Sequence, residues 1–284
     1  MWIDYAVRQG VAATGAFVRL PVLQHAAKNA DAAFPETGET VISLTTHGTR
    51  LKSASTAIAS LLVGTMRLPV HLWLDPVDYH AAWPSALRGL VDRGLHIHES
   101  PGGYGPHTKY FGTFDKFPGH SVITVDDDVL YPRDFAETLL AAADASHVTA
   151  FRAHRIMLND DTIAPYKKWR PVRTTEASHL NFATGVDGVL YPPGMVEFVS
   201  SRGTDFLDVA PRADDVWLNH CALRAGYRVK QIADRPASFP LVPGSQRVRL
   251  SRVNLSGGND TQIAATYTDA DVLLLCEQIT AQQE

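Results

Sequence analysis

The sequence of 284 residues lacks the features that mark several specialised classes of protein. Its two cysteines, Cys221 and Cys276, are too few for a disulfide framework and have no spacing typical of a metal site. No uninterrupted apolar run is long enough to span a bilayer. With a formal net charge of −4, the chain lacks the basic excess typical of nucleic-acid-binding proteins. These absences predict a globular protein of a reducing compartment.

The first half of the chain alternates between short apolar segments and amphipathic ones. Predicted strands at Thr40–Thr46, Val70–Leu74, Leu95–Glu99 and Val122–Val125 alternate with predicted helices at Lys52–Leu62, Asp78–Arg93 and Tyr110–Phe117. Ser53 can cap the first of these helices. The alternation predicts an α/β fold, in which a mostly parallel central sheet is flanked by helices on both faces.

The second half has a less regular pattern. It contains predicted helices at Asp134–Ala145, Val216–Ala225 and Asp269–Gln282, and predicted strands at Val148–Arg152 and Tyr227–Ile232. Between them, Asn159–Ser178 is polar and aromatic, which indicates a long loop or lid. Two glycines, Gly185 and Gly188, precede a further apolar strand.

Three consecutive aspartates, Asp126–Asp128, follow the fourth predicted strand. The carboxyl ends of parallel strands share one edge, where ligands bind, so we expect residues from the other strand ends beside them: Thr45, Thr46, Asp75 and Glu99. Adjacent like charges are costly to bury, and a cation removes that cost. Mg²⁺ and Mn²⁺ take oxygen ligands and share them with substrate phosphates. A solvated acidic turn is the simpler alternative.

A second acidic pair, Asp214 and Asp215, begins a predicted helix. Helix capping explains one aspartate well and the second poorly. If Asp215 projects into the cleft, it is placed to act as a general base on a hydroxyl within hydrogen-bond reach.

Three further segments carry candidate ligand-binding residues. Lys109, on the loop Gly105–Lys109, suits a phosphate contact, although a solvated surface lysine is the alternative; His107 on the same loop is a candidate ligand or base. Arg247, Arg249 and Arg252 can clamp a diphosphate, or simply charge the outer face of an edge strand. Gly257–Asp260 is a glycine-rich turn or a loop that closes over a substrate.

Taken in order, these motifs resemble glycosyltransferases of the GT-A fold, near the family-2-like group, and are most similar to bacterial transferases that build surface polysaccharides. The resemblance covers about residues 40–262 and rests on Val41–Thr46 with Arg50, Gly105–Lys109, Val125–Pro132, Gly185–Pro193 and Ala213–Leu218. It implies a single GT-A domain, residues 36–284, which follows an N-terminal segment, residues 1–35, that its apolar residues predict to be helical. Within that domain, residues 36–132 would bind the nucleotide-sugar, and residues 133–284 would bind the acceptor and carry the catalytic centre.

The resemblance also implies ligands and roles. The donor would be a nucleotide-sugar, with a UDP-sugar favoured, the acceptor a glycan or glycolipid, and the cofactor Mn²⁺ or Mg²⁺. Site residues follow by position: Thr45, Thr46, Arg50, Lys109, Asp126 and Asp127 at the nucleotide-sugar; Asp128 and Asp126 at the metal; Gly185, Asp187 and Gly188 at the sugar and acceptor pocket; Asp214 and Asp215 at the catalytic centre. Asp215 would be the base of an inverting transfer, and the metal would stabilise the departing diphosphate.

Two other functions remain open. A strand-end Asp126-x-Asp128 with a later acidic pair also suits a phosphohydrolase of the haloacid-dehalogenase type, with Asp126 as nucleophile and Asp128 as acid. Three β-α units precede this strand, however, and no threonine follows it closely. A non-catalytic nucleotide- or sugar-binding module is the other alternative, and the intact Asp126, Asp128 and Asp215 argue against it.

The N-terminal segment contains apolar residues, among them Ile3, Val7 and Val11, that can share one face of a helix. A helix packed on the domain is the favoured interpretation, and a helix lying in a membrane interface is the alternative. The sequence therefore predicts a cytoplasmic protein, or one held peripherally at the inner face of the membrane.

Overall fold

The computed structural model describes residues 18–28, 31–245 and 258–281 of the chain. Within them, strands form a seven-stranded, a three-stranded and a two-stranded sheet. The strands are β1 (Thr40–Thr45), β2 (Val70–Leu74), β3 (Leu95–Glu99), β4 (Ser121–Thr124), β5 (His147–Ala150), β6 (Ala153–Arg155), β7 (Leu158–Asn159), β8 (Thr162–Ile163), β9 (Arg170–Pro171), β10 (Asn181–Ala183), β11 (Val189–Tyr191) and β12 (Arg228–Gln231).

The helices of the same ranges lie mostly between these strands in the sequence. They are α1 (residues 18–28), α2 (Leu51–Leu62), α3 (Pro76–Tyr79), α4 (Ser85–Val91), α5 (Phe111–Lys116), α6 (Phe135–Ala141), α7 (Pro193–Ser201), α8 (Phe206–Val209), α9 (Asp214–Arg224), α10 (Asn259–Thr266) and α11 (Asp269–Ala281). None of the helices described here is long and apolar enough to cross a membrane.

The seven-stranded sheet has the order β12-β5-β11-β4-β1-β2-β3. Only β11 runs antiparallel to its neighbours among these described strands, and the other pairs are parallel. The predicted α/β fold with a mostly parallel central sheet is therefore confirmed. Because β1, β2, β4 and β5 point the same way, their carboxyl ends lie along one edge of the sheet.

Apolar side chains cover both faces of this sheet. Successive residues of a strand point to opposite faces, so Val41 and Val122 join one buried cluster while Ile42 and Ile123 join the other. The first cluster includes residues of α5, α7 and α9, and the second includes residues of α1, α2, α4 and α6. Burial on both faces explains why these strands read as continuous apolar runs in the sequence.

Two helix predictions are corrected by the structure. The helix expected over Asp78–Arg93 is two short helices, α3 and α4, because Pro84 lacks an amide hydrogen and disfavours helical geometry at the preceding residue. Ser53 does not cap α2, which begins at Leu51; its hydroxyl donates to the carbonyl of Arg50 at 2.8 Å.

The stretch Asn159–Ser178, expected to be a long loop or lid, contains regular structure. Strands β7 and β8 form a short hairpin, and β9 pairs with β6 in the three-stranded sheet β10-β6-β9. Trp169 is buried against this sheet and donates its indole hydrogen to the carbonyl of Ala164 at 2.8 Å. The aromatic residues of the stretch therefore form core contacts.

Residues 18–28 of helix α1 pack on the domain beside α4, where a Cβ on Gly89 would lie 2.7 Å from the carbonyl oxygen of Ala27, as the favoured interpretation of the N-terminal segment predicts. Leu23 and Ala27 are buried in the core, while Val18 and Val22 are 73% and 65% exposed. Arg19 donates to the carbonyl of Tyr131 at 2.8 Å. Residues 1–17 of the predicted amphipathic segment lie outside the described residues.

Three histidines of the neighbouring strands β2 and β3 stack together. The ring of His71 lies 4.8 Å from that of His96 and 5.2 Å from that of His98, and Nδ1 of His71 is 2.9 Å from Nε2 of His98. Burial, and then neighbouring positive groups, lower the pKa of His71 to about 3 and that of His98 to about 4. Both rings are therefore neutral in the folded protein at pH values where the unfolded chain binds protons.

This cluster predicts a loss of stability in mild acid. As the pH falls from about 6.5 towards 4, the unfolded chain binds more protons than the folded one, so the cluster's contribution to the free energy of unfolding decreases. The substitution His71→Leu removes one such site. We therefore expect the slope of the free energy of unfolding against pH to decrease by up to the amount that corresponds to about one bound proton.

Urea unfolding of both proteins at several pH values between 4.5 and 7 measures this slope. The exposed His47 provides a control, because His47→Leu also removes one imidazole but outside the stacked cluster. Equal slopes for the wild type and His71→Leu would contradict the presence of a neutral histidine cluster.

Candidate functional site

The aspartate triplet lies in a fixed turn at the carboxyl end of β4. The backbone N–H of Asp126 donates to the hydroxyl of Tyr131 at 2.7 Å, and the N–H of Val242 donates to the carbonyl of Asp128 at 2.7 Å. An isolated bridge between Val129 and Leu241 continues this pairing. Both sides of the turn are thus hydrogen-bonded, which holds the three carboxylates in place.

The middle aspartate is bound by residues that follow β1. Nε of Arg50 lies 2.9 Å from Oδ2 of Asp127, and Nη2 of Arg50 contacts Oδ1 of the same carboxylate. The hydroxyl of Thr46 donates to Oδ2 at 2.5 Å. Nη2 of Arg50 also lies 3.0 Å from Asp128. Arg50 and Thr46 therefore meet the triplet, and Asp127, only 6% exposed, has its acceptor capacity used within the protein.

The residues at the other strand ends point elsewhere. The hydroxyl of Thr45 donates to the carbonyl of Trp73 at 2.9 Å. Glu99 contacts His80 at 3.2 Å, and burial raises the pKa of Asp75. The shared edge brings these residues to one side of the sheet, and of the predicted strand-end residues it is Thr46 that hydrogen-bonds to the triplet.

Lys109 connects the two acidic segments. Its ammonium group lies 2.6 Å from Oδ1 of Asp126 and 3.5 Å from Oδ2 of Asp214. Its own carbonyl accepts a hydrogen bond from Ser43 of β1 at 2.6 Å. Burial lowers the pKa of Lys109, but the two carboxylates outweigh it and raise the pKa above its usual range. Lys109 is thus a largely buried cation, 12% exposed, held between β4 and α9, and the alternative of a solvated surface lysine is wrong.

Asp214 and Asp215 form the first turn of α9. The N-cap position is Ala213, so neither aspartate is the capping residue, although both lie near the positive end of the helix dipole. Asp215 is part-buried and accepts from the N–H of Val216 at 2.9 Å. Burial, and then the charge of Asp214, raise the pKa of Asp215 to about 7.

Negative charge is in excess at this edge. Five carboxylates, those of Asp126–Asp128, Asp214 and Asp215, surround two cations, Arg50 and Lys109. Burial and then the charge of Asp126 raise the pKa of Asp128 to about 6, and burial raises that of Asp126 despite Lys109. No group of three or more His, Cys, Asp or Glu among the described residues is arranged so that it could hold a metal ion. The donor set nevertheless has the charge that a further cation would offset.

The segment Gly185–Gly188 divides into two parts. A Cβ atom on Gly185 would lie 3.5 Å from Nζ of Lys109 and 3.7 Å from Asp214, so this glycine lies against the ion pair. Asp187 is buried with a φ of 68°, and its Oδ1 accepts from the N–H of Phe239 at 3.0 Å. Gly188 has a φ of 107°, and a Cβ there would be 2.7 Å from the ring of Phe135. Asp187 and Gly188 thus form the buried turn into β11.

Some of the candidate residues lie apart from this edge or beyond the described ranges. His107 is buried between the hydroxyl of Tyr110, at 2.8 Å, and the carbonyl of Ala210, at 2.7 Å. Asp260 accepts from the N–H of Tyr166 at 2.7 Å, within the region once expected to be a loop. Arg247, Arg249, Arg252 and Gly257 lie outside the described residues.

Sequence reasoning missed two side chains near the site. Arg152 follows the carboxyl end of β5 and is close enough to Asp187 to lower its pKa, against the larger effect of burial. Tyr166 lies near enough to Asp215 that the charge of this carboxylate, after burial, raises the pKa of the Tyr166 hydroxyl. The place of Arg152 at the end of a predicted strand was an available signal, whereas nothing local distinguishes Tyr166.

The fold is similar to that of a glycosyltransferase of known structure. It resembles the mannosyltransferase PcManGT from Pyrobaculum calidifontis in complex with GDP-Man and Mn²⁺, with a TM-score of 0.52 and 17% identity over 96% of this chain and 79% of that chain. Residues 1–349 of S. aureus TarS give a TM-score of 0.42 and 12% identity over 82% of this chain and 67% of that chain, which is too low to support an argument. Neither a family model nor a curated protein sequence matches the chain.

The position of Lys109 between two carboxylates predicts that its replacement lowers the stability of the protein. Replacing Lys109→Met leaves Asp126 and Asp214 partly buried without their cation, which should lower the free energy of unfolding by about 3 kcal/mol or more. Urea unfolding in EDTA measures this loss. Adding Asp126→Asn to the variant should restore part of the stability.

The exposed Lys52 provides a matched control, since Lys52→Met removes the same charge at the surface and should change stability by less than about 0.5 kcal/mol. Equal effects of the two substitutions would show that the Lys109 bridge contributes nothing.

Proposed function

We propose that the protein is a metal-dependent glycosyltransferase of the GT-A, family-2-like type. It would transfer a sugar from a nucleotide-sugar, with a UDP-sugar favoured, to a hydroxyl of a glycan or glycolipid. The observation that carries this proposal is the meeting of Asp126–Asp128 and Asp214–Asp215 around Lys109 at the carboxyl edge of a parallel sheet. In open α/β sheets this edge is where ligands bind.

The charge of the site supports a divalent metal. Asp126 and Asp128 would hold Mn²⁺ or Mg²⁺, and the donor diphosphate and water would complete its ligands, as is common for Mg²⁺. Bound there, the metal would stabilise the negative charge of the departing diphosphate. Burial first, and then neighbouring carboxylates, raise the pKa of both aspartates, and a bound cation would favour their ionised forms.

Asp215 is proposed as the general base of an inverting transfer. The acceptor oxygen would form a bond to the anomeric carbon while its proton passes to the carboxylate of Asp215. The bond between that carbon and the diphosphate oxygen breaks, and its electron pair leaves with the diphosphate. A base with a pKa near 7 is well matched to this work at neutral pH, and Asp214 helps to raise that pKa.

The remaining candidates take supporting roles in this proposal. Lys109, with Asp126, would lie at the nucleotide-sugar phosphates, while Thr45 and Thr46 would border the nucleotide. Arg50 would orient Asp127 and Asp128. Gly185 would line the sugar and acceptor pocket because it leaves space beside Lys109 and Asp214, and Asp187 and Gly188 would shape it from the buried turn. We propose residues 36–132 as the donor half and residues 133–284 as the acceptor half.

Nucleotide binding provides the direct test of the donor and metal assignment. We expect UDP, or another of GDP, CDP and dTDP, to raise the melting temperature with Mn²⁺ or Mg²⁺, because a ligand of the native state stabilises it. EDTA should remove this shift, and Asp128→Asn should abolish it because the variant lacks a metal-binding carboxylate.

The exposed Asp92 supplies the control variant, Asp92→Asn, which should keep the full shift. Without nucleotide, Asp128→Asn should be at least as stable as the wild type at pH 8, since a buried charge is lost. An undiminished, EDTA-sensitive shift in Asp128→Asn would overturn the metal assignment. The absence of a shift with every nucleotide would favour the phosphohydrolase.

If Asp215 is the general base, its replacement should change the rate of transfer but not the binding of nucleotide. Asp215→Asn should retain the nucleotide shift but lower the transfer rate by at least about 10²-fold, the low end of a general base's contribution. The wild-type rate should rise with pH through about 7, because Asp215 must be ionised to accept the proton.

Transfer is followed as release of nucleoside diphosphate in the presence of acceptor. Asp208→Asn, an exposed change outside the site, should leave both rate and pH profile unchanged. Near-normal turnover in Asp215→Asn would remove this residue from the base role. Nucleotide binding without any turnover in the wild type would favour the binding-module alternative.

A further inference from the structure

A cavity of about 370 Å³ lies on the small three-stranded sheet, away from the acidic edge. Three arginines line it, Arg155, Arg170 and Arg173, together with one acidic residue, Glu176. We call this cavity the arginine pocket. Its lining therefore has the opposite charge from the carboxylate-rich edge of the main sheet.

Two of these arginines are held directly opposite each other. Arg155 of β6 pairs in register with Arg170 of β9 across an antiparallel ladder. Side chains in such pairs project to the same face with Cβ atoms roughly 4.5–5.5 Å apart, and like charges placed there are destabilising. A bound anion would offset this repulsion.

Arg155 is oriented towards the pocket by a buried amide. Its Nη1 donates to Oδ1 of Asn181 at 3.2 Å, and Asn181 is only 2% exposed. The Nδ2 group of Asn181 donates in turn to the carbonyls of Glu176, at 3.0 Å, and Val229, at 2.9 Å. With both ends of this amide fixed, one wall of the pocket is built before any ligand arrives, which lowers the entropic cost of binding.

The other two arginines are available to a ligand. Arg170 and Arg173 are exposed, and within residues 18–28, 31–245 and 258–281 no ion pair or hydrogen bond engages their guanidinium groups. A guanidinium group presents a planar fork of donors that matches carboxylate and phosphate oxygens. The pocket thus contains one guanidinium group that is held in place and two that are available to bind carboxylate or phosphate oxygens.

The pocket is connected to the candidate active site by a short run of chain. Asn181 of β10 borders the pocket, and Gly185, four residues later, lies against Lys109 and Asp214. Even a fully extended chain spans at most about 14 Å over four residues. A single acceptor molecule can therefore reach both places.

We propose that the arginine pocket binds an anionic group, phosphate or carboxylate, of an acidic acceptor glycan; the acceptor identity rests on the proposed transferase function. The anionic group would be held by Arg155, Arg170 and Arg173 while a hydroxyl further along the glycan reaches Asp215. The pocket would thereby select charged acceptors over neutral ones of the same length.

Binding of defined probes tests the proposal. Inorganic phosphate, trigalacturonate and the neutral trisaccharide maltotriose are titrated into the full chain by calorimetry at low ionic strength. We expect phosphate, trigalacturonate or both to bind and maltotriose to bind at least about tenfold more weakly, since it lacks the charge-assisted hydrogen bonds. Added salt should weaken the anions through screening. Phosphate alone would assign a phosphate-bearing group, and trigalacturonate alone a carboxylate-bearing one.

The double variant Arg170→Gln/Arg173→Gln should weaken the anionic probes at least about tenfold. Lys167→Gln/Lys168→Gln is the matched control, because it removes two positive charges from the same exposed stretch without touching the pocket. Equal losses in both double variants, no anion binding by the wild type, or equal binding of maltotriose would each overturn the proposal.

A thermal-shift titration of the wild type with nucleoside diphosphate and Mn²⁺ runs in parallel and reports on the donor site alone. Anion binding that depends on Arg170 and Arg173, without any nucleotide shift, would support the pocket while the transferase proposal fails. A nucleotide shift without anion binding would support the transferase proposal, whereas the proposal for the arginine pocket would fail.

Discussion

The ion pairs of the largely buried Lys109 with Asp126 and Asp214 are the interactions on which the rest of the site depends. This lysine joins the end of a central strand to the start of a helix from the other half of the chain. The carbonyl of the same residue is anchored to Ser43 in a third element. One side chain thus links the two acidic segments, and Gly185 lies beside it, where a Cβ atom would be 3.5 Å from Nζ.

The same arrangement costs stability. Even with Arg50 and Lys109 in place, burial and mutual repulsion raise the pKa of Asp128 and of Asp215. Folded proteins tolerate such uncompensated charge mainly where ligands bind or chemistry occurs. A cation with its diphosphate would relieve part of the cost, so binding and stability are expected to be coupled. Arg50 and Lys109 lie where their positive charges would also offset the negative charge of a bound diphosphate.

Negatively and positively charged side chains are concentrated at two separate places that a short stretch of chain connects. The acidic edge lies at the carboxyl ends of the main sheet, whereas the arginine pocket lies on the small sheet, and the chain from Asn181 to Gly185 connects them. An acceptor with a negative group would be attracted to one end and repelled from the other. This polarity would set the direction in which such an acceptor lies, with its anionic group away from the carboxylates.

By itself, the sequence determined the α/β class, nearly all strands of the main sheet and the acidic segments at its edge, because apolar runs and strand-end aspartates are local patterns. It did not show the break at Pro84, the small sheet within Asn159–Ser178 or the burial of Lys109. Only the tertiary structure decided that Arg50 meets Asp127, that Asp187 turns inward and that Arg155 opposes Arg170. These are contacts between residues distant in the chain, and their energies depend on burial and on the distance between charges, which no local pattern encodes.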